Sequence, residues 1–312
     1  MNLKEKKFWC LALDPIHIGT GEFQLGRVDN TIVREPATNL PKIPGSSLAG
    51  VARAYTAMNT PNKYLRPGAK PGTFTSCAGK GGSDGDEHCG QPDCPVCMAF
   101  GFSKKGTSFQ GLVQFSDALL VLFPVAAVLG PLWVTSPDTL AAAGLGGDLT
   151  DLREAVAPNP KNYRCVTNTH TAGKHVKVGW LSLPAADCPV KLQDELAAFE
   201  KRLAVVSDDL FGQIVNDQLE IRTSVSIDPH TGTASTGALF TVEAMPRGTV
   251  LRSQYQVLDP NYFRVPPTNA ESKFNQLELC EAVGNGLANI EHLGLGGMNT
   301  RGFGRMKIVE RA

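Results

Sequence analysis

The sequence carries little charge and no net charge. Charged residues make up 19% of the 312 residues, and 30 basic side chains balance 30 acidic ones. The charged fraction is below the roughly 25% of average globular domains. Extensive disorder is excluded, because it requires low hydrophobicity with high net charge, and 42% of the residues are hydrophobic. A uniformly basic surface is excluded as well, so any polyanion must be held by a local patch or by backbone amides.

The sequence also lacks a signal peptide and an unbroken membrane-spanning run. The first apolar stretch ends at Asp14-Pro15, too early for a signal peptide. The uncharged stretch 118–134 is interrupted by Pro124, Gly130 and Pro131, and it predicts two buried strands joined by a turn. We therefore expect a cytoplasmic protein without membrane contact, whose eight cysteines do not form a disulfide framework.

Glycine and proline are abundant, with 32 and 21 residues, too many for a helical bundle. Hydrophobic periodicity predicts strands and helices interleaved in a β-α-β-β-α-β manner, hence an α+β fold, with 1–312 forming a single domain. The predicted strands are 6–13, 110–122, 126–134, 175–183, 219–228, 238–245, 249–258 and 305–310. The predicted helices are 47–58, with a serine as N-cap, a short one within 138–174, 192–203, 207–215 and 271–287.

Four cysteines indicate a structural metal site. They lie in segment 60–107, which is rich in proline, glycine and polar residues and is typical of an insertion with almost no core of its own. Cys94 and Cys97 have the C-x2-C spacing that lets two thiolates reach one tetrahedral metal; Cys77 and Cys89, or a set that includes His88, complete four ligands. The predicted ion is structural Zn²⁺, which would supply folding energy to the segment. Unpaired loop thiols and a redox pair are the alternatives.

Two glycine-rich loops are suited to close contact with phosphates. The first precedes the helix at 47–58, so amides, serine hydroxyls and the helix dipole favour an anion there. The second, at 294–304, is flanked by Arg301 and Arg305, which supply bidentate charge. Neither loop fits a P-loop or a dinucleotide fingerprint. Each alone is compatible with ordinary turns, but together they favour a polyanionic ligand.

A set of motifs, in order along nearly the whole chain, resembles the RAMP superfamily of CRISPR proteins. The motifs are His17 to Gly21 (His-x-Gly-x-Gly), Gly26 to Glu35, Ile43 to Gly50, Ser207 to Phe211, Thr231 to Phe240 and the glycine-rich end 294–304. Within the superfamily the chain is most similar to the repeated backbone subunit of type III-B (Cmr) effector complexes. The cysteine-rich insertion is more like the type III-A (Csm) backbone subunit, which is the second assignment.

The resemblance implies an RRM-like (ferredoxin-like) palm that carries the guide RNA (crRNA), with inserted finger regions and a β-hairpin thumb, for which 161–180 is the candidate. It implies head-to-tail filaments of copies of the chain, together with target single-stranded RNA and other type III subunits as partners. The implied RNA-binding residues are Gly45, Ser46, Ser47, Gly296, Gly297, Thr300 and Arg301. Relatives commonly carry lysine where this chain has Ala49, and Arg53, one turn later, is the candidate replacement.

The resemblance also implies cleavage of the target RNA at regular intervals. Asp29 occupies the position of the family's cleaving aspartate, as a ligand of Mg²⁺ or another divalent ion or as a base for the ribose 2′-hydroxyl. His17 is expected to bind phosphate or assist proton transfer, and Glu243 to lie near the cut. The alternatives are a non-catalytic crRNA-binding scaffold and a stand-alone RAMP ribonuclease that processes repeat RNA. Without the resemblance, Asp29 is an ordinary turn residue and His17 an ordinary loop histidine.

Overall fold

The structure is a computed structural model that describes residues 3–21, 28–68, 71–72, 74–79, 88–104, 106–145, 147–157, 163–169, 175–188, 190–192, 194–234 and 239–311. The strands are β1 (Leu3–Ala12), β2 (Lys42–Ile43), β3 (Arg66–Pro67), β4 (Phe74–Thr75), β5 (Phe102–Lys104), β6 (Thr107–Phe109), β7 (Val113–Phe115), β8 (Ala118–Val125), β9 (Leu132–Thr135), β10 (Cys165–Thr167), β11 (His175–Val178), β12 (Leu181–Asp187), β13 (Leu203–Val205), β14 (Glu220–Ser224), β15 (Phe240–Ala244), β16 (Val250–Leu258) and β17 (Met306–Glu310). The α-helices are α1 (Gly45–Met58), α2 (Pro61–Tyr64), α3 (Pro95–Phe100), α4 (Pro137–Ala142), α5 (Thr150–Val156), α6 (Asp208–Asp217), α7 (Gln276–Ala288) and α8 (Ile290–Leu293). The 3-10 helices are Asp194–Arg202, Pro260–Tyr262 and Asn299–Arg301.

Eleven of the described strands form one mixed sheet. Nine follow the order β11-β12-β10-β13-β9-β8-β16-β1-β17, while β2 pairs with β8 and β7 pairs with β16. The pairs β10/β12 and β9/β13 are parallel, and the others are antiparallel. A large sheet combined with helices confirms the predicted α+β class. In the described part of the chain, β17 is the strand at one end of this sheet.

The sheet separates two hydrophobic clusters, because successive side chains of a strand point to opposite faces. On one face, Phe8 and Cys10 of β1 belong to a cluster with Leu48 of α1 and Val283 of α7. On the other face, Trp9 belongs to a second cluster with residues of α4 and α5. Among the described helices, none is long and apolar enough to cross a lipid bilayer.

Several element predictions need correction. Helix α1 begins at Gly45 rather than at 47, and no serine caps it: its N-cap is Pro44, without a side-chain cap bond. The predicted α-helix 192–203 is a 3-10 helix, Asp194–Arg202. The segment predicted to hold one short helix contains both α4 and α5. Helix α7 starts at Gln276 rather than at 271, because Asn275 and Glu278 form a reciprocal capping box there.

The cysteine-rich segment is not isolated from the main core, as its composition suggested. Val96, Met98 and Ala99 on α3 are fully buried and join the cluster that contains α1 and α7. The prediction of a nearly coreless insertion is therefore wrong for residues 88–104. A short apolar helix between polar, glycine-rich stretches is enough to dock the segment, because even three buried apolar side chains contribute several kcal/mol by burial, at roughly 25 cal/mol per Å².

A small ladder beside the main sheet positions the candidate site. Residues 16–20 pair with 30–34 through the bridge Gly19–Ile32, and 30–34 pair with β15 through Asn30–Val242. Residue 16 in turn bridges Met245 at the end of β15. The backbone N–H of Val33 donates to the Ile18 carbonyl at 2.9 Å, which fixes the register of the first pair. The loop after β1 and the segment that contains Asp29 are therefore both attached to β15.

Candidate functional site

Asp29 is held by Thr241, the second residue of β15. The Thr241 backbone N–H and hydroxyl both donate to Asp29 Oδ2, at 2.7 and 2.8 Å. The Asp29 N–H donates to Thr241 Oγ1 at 2.9 Å, which closes the pair. The backbone hydrogen bond from Thr241, followed by its hydroxyl, lowers the pKa of Asp29 below its usual value. The carboxylate is thus ionised near neutral pH, oriented through Oδ2, and its Oδ1 makes no hydrogen bond to the described residues.

The buried His17 contacts the same edge of β15 two residues further along, at Glu243. Its Nδ1 is 2.7 Å from the carbonyl oxygen of Glu243. A carbonyl can only accept, so Nδ1 carries the proton and the neutral ring keeps a lone pair on Nε2; this tautomer is assigned from the hydrogen bond. Nε2 forms no hydrogen bond with the described residues. The arrangement prepares Nε2 to accept a proton or, once protonated, to donate to a phosphate.

Both oxygens of the Glu243 carboxylate are bonded within the chain. Its Oε1 accepts from Arg34 at 2.7 Å, and its Oε2 accepts the Ile32 N–H at 3.1 Å. Arg34 also donates to Asn216 Oδ1 on α6 at 2.9 Å, so the site is connected to that helix. Glu243 therefore touches His17 through its carbonyl and the Asp29 segment through its carboxylate. This geometry is that of a positioning residue.

The second glycine-rich loop lies directly on His17. The Gly297 N–H donates to the His17 carbonyl at 3.0 Å. A Cβ atom on Gly296 would lie 2.3 Å from the same oxygen, and the residue has φ +79°, so only glycine fits at this close approach. The Tyr55 hydroxyl of α1 donates to the Gly294 carbonyl at 2.5 Å, which joins the first helix to this loop.

Thr300 and Arg301 lie at the exposed outer side of that loop, in the 3-10 helix Asn299–Arg301. Arg301 donates to Ser224 Oγ at 3.4 Å, a long contact that leaves most of its donors in solvent. Arg222 stacks on Phe303 with its guanidinium carbon 4.6 Å from the ring centroid. Two arginines, Arg301 and Arg222, therefore lie beside this loop, and Arg222 also pairs with Glu220 at 2.5 Å.

The start of helix α1 differs from its prediction in one respect. The Gly45 N–H is already bonded to Asp117 Oδ1 at 2.8 Å, so this amide is not free for a phosphate. Gly45 is required for another reason, since a Cβ would lie 2.8 Å from the Phe115 carbonyl. Ser46 is exposed and Ser47 is half-buried, and their hydroxyls form no hydrogen bond with the described residues. The available groups at this end are the serine side chains.

Arg53 does not join the other predicted RNA-binding residues. Its guanidinium donates to the carbonyl oxygens of Cys77, Gly101 and Phe100 at 2.7, 3.0 and 3.3 Å. The geometry gives no support to its predicted contact with RNA. Arg53 instead fastens the cysteine-rich segment to helix α1.

The four predicted cysteines come together. The Sγ atoms of Cys77, Cys89, Cys94 and Cys97 all lie within 4.8 Å of one another and are buried. Cys89 Sγ and Cys97 Sγ are 3.7 Å apart. Tetrahedral Zn²⁺ with bonds of about 2.3 Å places its sulfur ligands about 3.8 Å apart, so the cluster fits this ion. All eight cysteines are free.

His88 is not part of this cluster. Its Nδ1 accepts the Ser103 N–H at 3.1 Å, and its Nε2 lies 2.7 Å from the Gly79 carbonyl. Both ring nitrogens are engaged, so the alternative ligand set with His88 is not supported. In the thiol cluster, hydrogen bonds with Cys77 and Cys89 raise the pKa of Cys94, while a hydrogen bond with Cys77 lowers that of Cys89. A bound cation would stabilise the thiolate form of all four cysteines, so these opposite pKa shifts would no longer arise.

The candidate thumb 161–180 is described only in part, since residues 161, 162 and 170–174 lie outside the described ranges. The hairpin found here is β11–β12, His175–Asp187, which is shifted toward the C terminus. Its turn exposes Trp180, whose indole N–H donates to Asp217 Oδ2 at 2.6 Å. Among the candidate's basic residues, Arg164 and Lys177 are exposed, while Lys161 and Lys174 lie outside the described ranges.

The fold and these motifs together define the family. The model of the RAMP superfamily matches residues 9–307, and the chain belongs to this superfamily. The predicted resemblance is thereby confirmed.

Comparison with individual proteins shows which kinds of superfamily member this chain is similar to. Over 96% of this chain and 92% of the relative, the sequence is 26% identical to the CRISPR system Cmr endoribonuclease Cmr4 of Pyrococcus furiosus. A second relative, the CRISPR system Cms endoribonuclease Csm3 of Enterococcus italicus, is 32% identical over 34% of this chain and 42% of its own length. A type III-B Cmr-beta subunit in a complex bound to cognate target RNA has a similar fold, with a TM-score of 0.64 and 17% identity over 98% of this chain and 97% of that one. The crystal structure of Cmr4 has a TM-score of 0.58 and 20% identity over 99% of both chains.

Sequence reasoning missed Thr241, Arg34, Asn216 and Asp117. Strand periodicity offered one signal, because Thr241 and Glu243 are two apart in a predicted strand and so share a face. The partners of Asp117 and Asn216 are distant in sequence, and no local pattern points to them.

Proposed function

We propose that this chain is a crRNA-binding backbone subunit of a type III CRISPR effector complex that cleaves target single-stranded RNA through Asp29. Similarity to proteins named Cmr and Csm endoribonucleases supports this class, as does the fold shared with a complex bound to target RNA. The proposed partners are crRNA, target RNA, further copies of the chain in a head-to-tail filament and other type III subunits.

The RRM-like palm is part of this proposal. Strands β17-β1-β16-β8 are neighbours in that order, and helices α1 and α7 lie between them in the chain and share their cluster. This is the arrangement expected of a β-α-β-β-α-β unit with ferredoxin-like topology. The fingers and the thumb at 161–180 remain predictions.

The observation that carries the proposal is that Asp29 and His17, on two separate segments, both bond to strand β15. Asp29 is bonded to Thr241 and His17 to Glu243, positions about 7 Å apart along β15 at the usual strand rise. Asp29 Oδ1 and His17 Nε2 form no hydrogen bond with the described residues, and the glycine-rich loop lies against His17. An ionised carboxylate and an imidazole with a free Nε2 thus lie on neighbouring segments along β15, and this pairing supports the proposal.

The proposed reaction is attack of a ribose 2′-hydroxyl on the adjacent phosphate. Asp29 accepts the hydroxyl proton or orients the hydroxyl, and His17 Nε2 takes up or donates a proton at the phosphate. Glu243 positions both groups from β15. The chemistry of one free carboxylate oxygen beside substrate phosphates suits Mg²⁺, which is commonly bound through one or two carboxylates and phosphate oxygens. When bound, such an ion would neutralise phosphate charge.

The cysteine cluster is a separate, structural part of the proposal. We propose that Cys77, Cys89, Cys94 and Cys97 bind one Zn²⁺, supported by their mutual distances and their burial. Four protein thiolates leave no open coordination position, which is the composition of a structural rather than a catalytic zinc site.

The test is target cleavage by a reconstituted effector complex that carries Asp29→Asn. Asparagine keeps an acceptor for Thr241 but removes the charge, so we expect assembly and RNA binding to persist and cleavage to fall at least about 100-fold. Asp228→Asn, in an exposed turn, is the matched control and is expected to cleave normally. Undiminished cleavage by Asp29→Asn would contradict the assignment of Asp29 and favour the alternative of a non-catalytic crRNA-binding scaffold. Processing of repeat RNA by the isolated chain in EDTA would favour the stand-alone ribonuclease.

A further inference from the structure

A row of cationic side chains follows strand β17 directly after the second glycine-rich loop. Arg305 precedes the strand, Lys307 lies within it and Arg311 follows it, so their side chains alternate with buried Met306 and half-buried Ile308. Trp9 of β1 pairs with Val309 of β17 on one side and with Arg252 of β16 on the other. Because directly paired residues point to the same face of a sheet, Arg252 lies on the same face as Trp9 and Val309. We call Arg305, Lys307, Arg311, Lys7 and Arg252 the edge-strand stripe.

Few carboxylates balance this stripe. Arg305 pairs with Asp14 at 2.5 Å, and Lys7 pairs with Glu5 at 3.2 Å. In the described part of the chain, no acidic side chain forms an ion pair with the remaining three, Lys307, Arg252 and Arg311. In a chain of zero net charge, Lys307 and Arg311 at β17 and Arg252 on β16, two strands away, form a local basic patch at this end of the sheet.

Two arginines converge in a groove at the far end of the stripe. Arg311 is fixed there, because it donates to the carbonyl oxygens of Ala143 and Gly144 at 2.7 and 3.1 Å and lies over Trp9, 5.2 Å from the ring centroid. Arg252 is half-buried and forms no hydrogen bond with the described residues. The groove has a volume of about 190 Å³ and also contains Lys7 and Gln254.

The electrostatics of this groove are those of an anion site. Burial, together with the like charge of Arg311, lowers the pKa of Arg252. Two adjacent guanidinium groups without a counter-ion are unfavourable, and a phosphate that accepts from both removes the repulsion. Arg311 is already held in one orientation, so less conformational entropy is lost on binding.

The stripe is continuous with the loop that lies on His17. From Arg305 to Arg311 the chain covers about 20 Å at the usual rise of a strand, which is the length of a few nucleotides. The glycine-rich loop ends at Gly304, immediately before the stripe. A strand of nucleic acid that leaves the loop along β17 would bring successive phosphates to successive cations. By comparison, a single carboxylate of a protein partner would neutralise only one of the three unpaired charges.

We propose that the edge-strand stripe binds the phosphates of single-stranded RNA as it leaves the glycine-rich loop, with Arg252 and Arg311 holding one phosphate in the groove. This inference rests on the proposed RNA-binding function and adds a second contact region to it. The contacts are made to phosphates, so they are independent of base sequence.

The test is the salt dependence of binding of a fluorescent single-stranded RNA by the full-length chain. The variant Arg252→Gln/Lys307→Gln removes two cations that have no hydrogen-bond partner in the described chain, so its folding is preserved. We expect binding about tenfold weaker near 0.15 M salt. The slope of log affinity against log salt should fall by about 0.7 to 1.4, from roughly 0.7 per phosphate contact on a single strand, because Arg311 still contacts the phosphate that it shares with Arg252. Arg153→Gln/Lys273→Gln removes the same charge elsewhere and should match the wild type.

Arg311→Lys separates charge from geometry, because lysine keeps the charge but lacks the fork that grips a phosphate in two places. We expect an intermediate loss of affinity with an unchanged salt slope. If the wild type binds RNA and the double variant has equal affinity and slope, the stripe is not a contact region and the proposed function stands. If the double variant keeps RNA affinity but no longer associates with other copies of the chain, the stripe is a protein interface. If the wild type, alone or in its complex, binds no RNA, the proposed function itself fails.

Discussion

Thr241 and Asp29 bind each other through three hydrogen bonds, although 212 positions separate them. Two of these bonds end on the same oxygen, Oδ2, so they hold the carboxylate in one orientation and stabilise its charged form. Thr241 is thereby the residue that prepares Asp29 for its proposed role, and the pair gives the first prediction.

Thr241→Val removes the hydroxyl and keeps the backbone N–H. Since the hydroxyl bond lowers the pKa of Asp29, its loss raises that pKa toward the ordinary value. A carboxylate that must be ionised loses activity as pH falls through its pKa, so we expect the acidic limb of the pH–rate profile for target cleavage to move to higher pH. Thr241→Ser should restore the wild-type profile, and Thr223→Val, on the paired strand, should not move it. An unmoved acidic limb in Thr241→Val would mean that Asp29 does not control the profile.

The pair also shows which parts of the structure are accessible from sequence. Local periodicity was sufficient for β1, α1 and β17, because alternation and helical spacing are properties of neighbouring residues. The C-x2-C spacing likewise identified Cys94 and Cys97, and two nearby cysteines completed the cluster. The Asp29–Thr241 bonds depend on the register of a ladder between distant segments, which no local pattern encodes. The family resemblance indicated Asp29, but not what orients it.

The same limit explains the error at the start of α1 and the unpredicted surroundings of Arg53. A serine near a helix start is a common cap, yet here Asp117 from a distant loop bonds the first amide. The resemblance offered Arg53 as the replacement for a lysine at position 49, yet its guanidinium bonds to carbonyl oxygens of Cys77, Phe100 and Gly101. Its contact with RNA stays a prediction. Tertiary packing decided both cases.

Asp117→Ala tests the remote cap of helix α1. The variant loses the bond to the Gly45 N–H and the ion pair with Lys42, at 2.8 and 2.7 Å. We expect the free energy of unfolding to fall by about 1 kcal/mol at pH 7, as for other N-caps. The bonds to Lys42 and Gly45 outweigh burial and lower the pKa of Asp117, so this stabilisation is present above the unfolded pKa and disappears as pH falls through the lower, folded value.

Denaturant unfolding of both proteins between pH 7 and pH 2 checks this prediction. Asp151→Ala, an exposed aspartate whose side chain bonds to none of the described residues, is the control and should change stability by less than about 0.5 kcal/mol. A difference for Asp117→Ala that stays constant down to pH 2 would contradict an ionised cap.

Zinc content is the third prediction. The purified chain should contain about one equivalent of zinc by elemental analysis, and a strong chelator should lower its melting temperature. Cys97→Ser should lose the metal, while Cys188→Ser, outside the cluster, should keep it. Less than about half an equivalent in wild-type protein prepared without chelators would contradict the closed four-thiolate site.

Arg53→Gln distinguishes a structural from an RNA-binding arginine. The guanidinium bonds to three carbonyl oxygens around the cysteine cluster, so its loss leaves buried acceptors unpaired. We expect a loss of about 2 to 3 kcal/mol in unfolding free energy, with RNA affinity and its salt slope unchanged under folding conditions. Arg153→Gln, whose partner Asp138 is exposed, is the control and should leave the unfolding free energy almost unchanged. A reduced salt slope with unchanged stability would restore the RNA contact first predicted for Arg53.

Gly296→Ala is the sharpest test of the loop that lies on His17. The new methyl group would lie 2.3 Å from the His17 carbonyl, at a backbone φ of +79° that disfavours alanine, so the loop must move away from the histidine. Displacement of a positioning element by even 1 Å reduces rates strongly, and we expect target cleavage to fall at least about tenfold while the sheet stays folded. Gly50→Ala is the matched control: nothing lies within 4 Å of its Cβ position in helix α1, and we expect a gain of about 0.5 to 1 kcal/mol in stability with normal cleavage. If Gly296→Ala cleaves and binds RNA like the wild type, the glycine-rich loop is not part of the site, and His17 must be reached from another side.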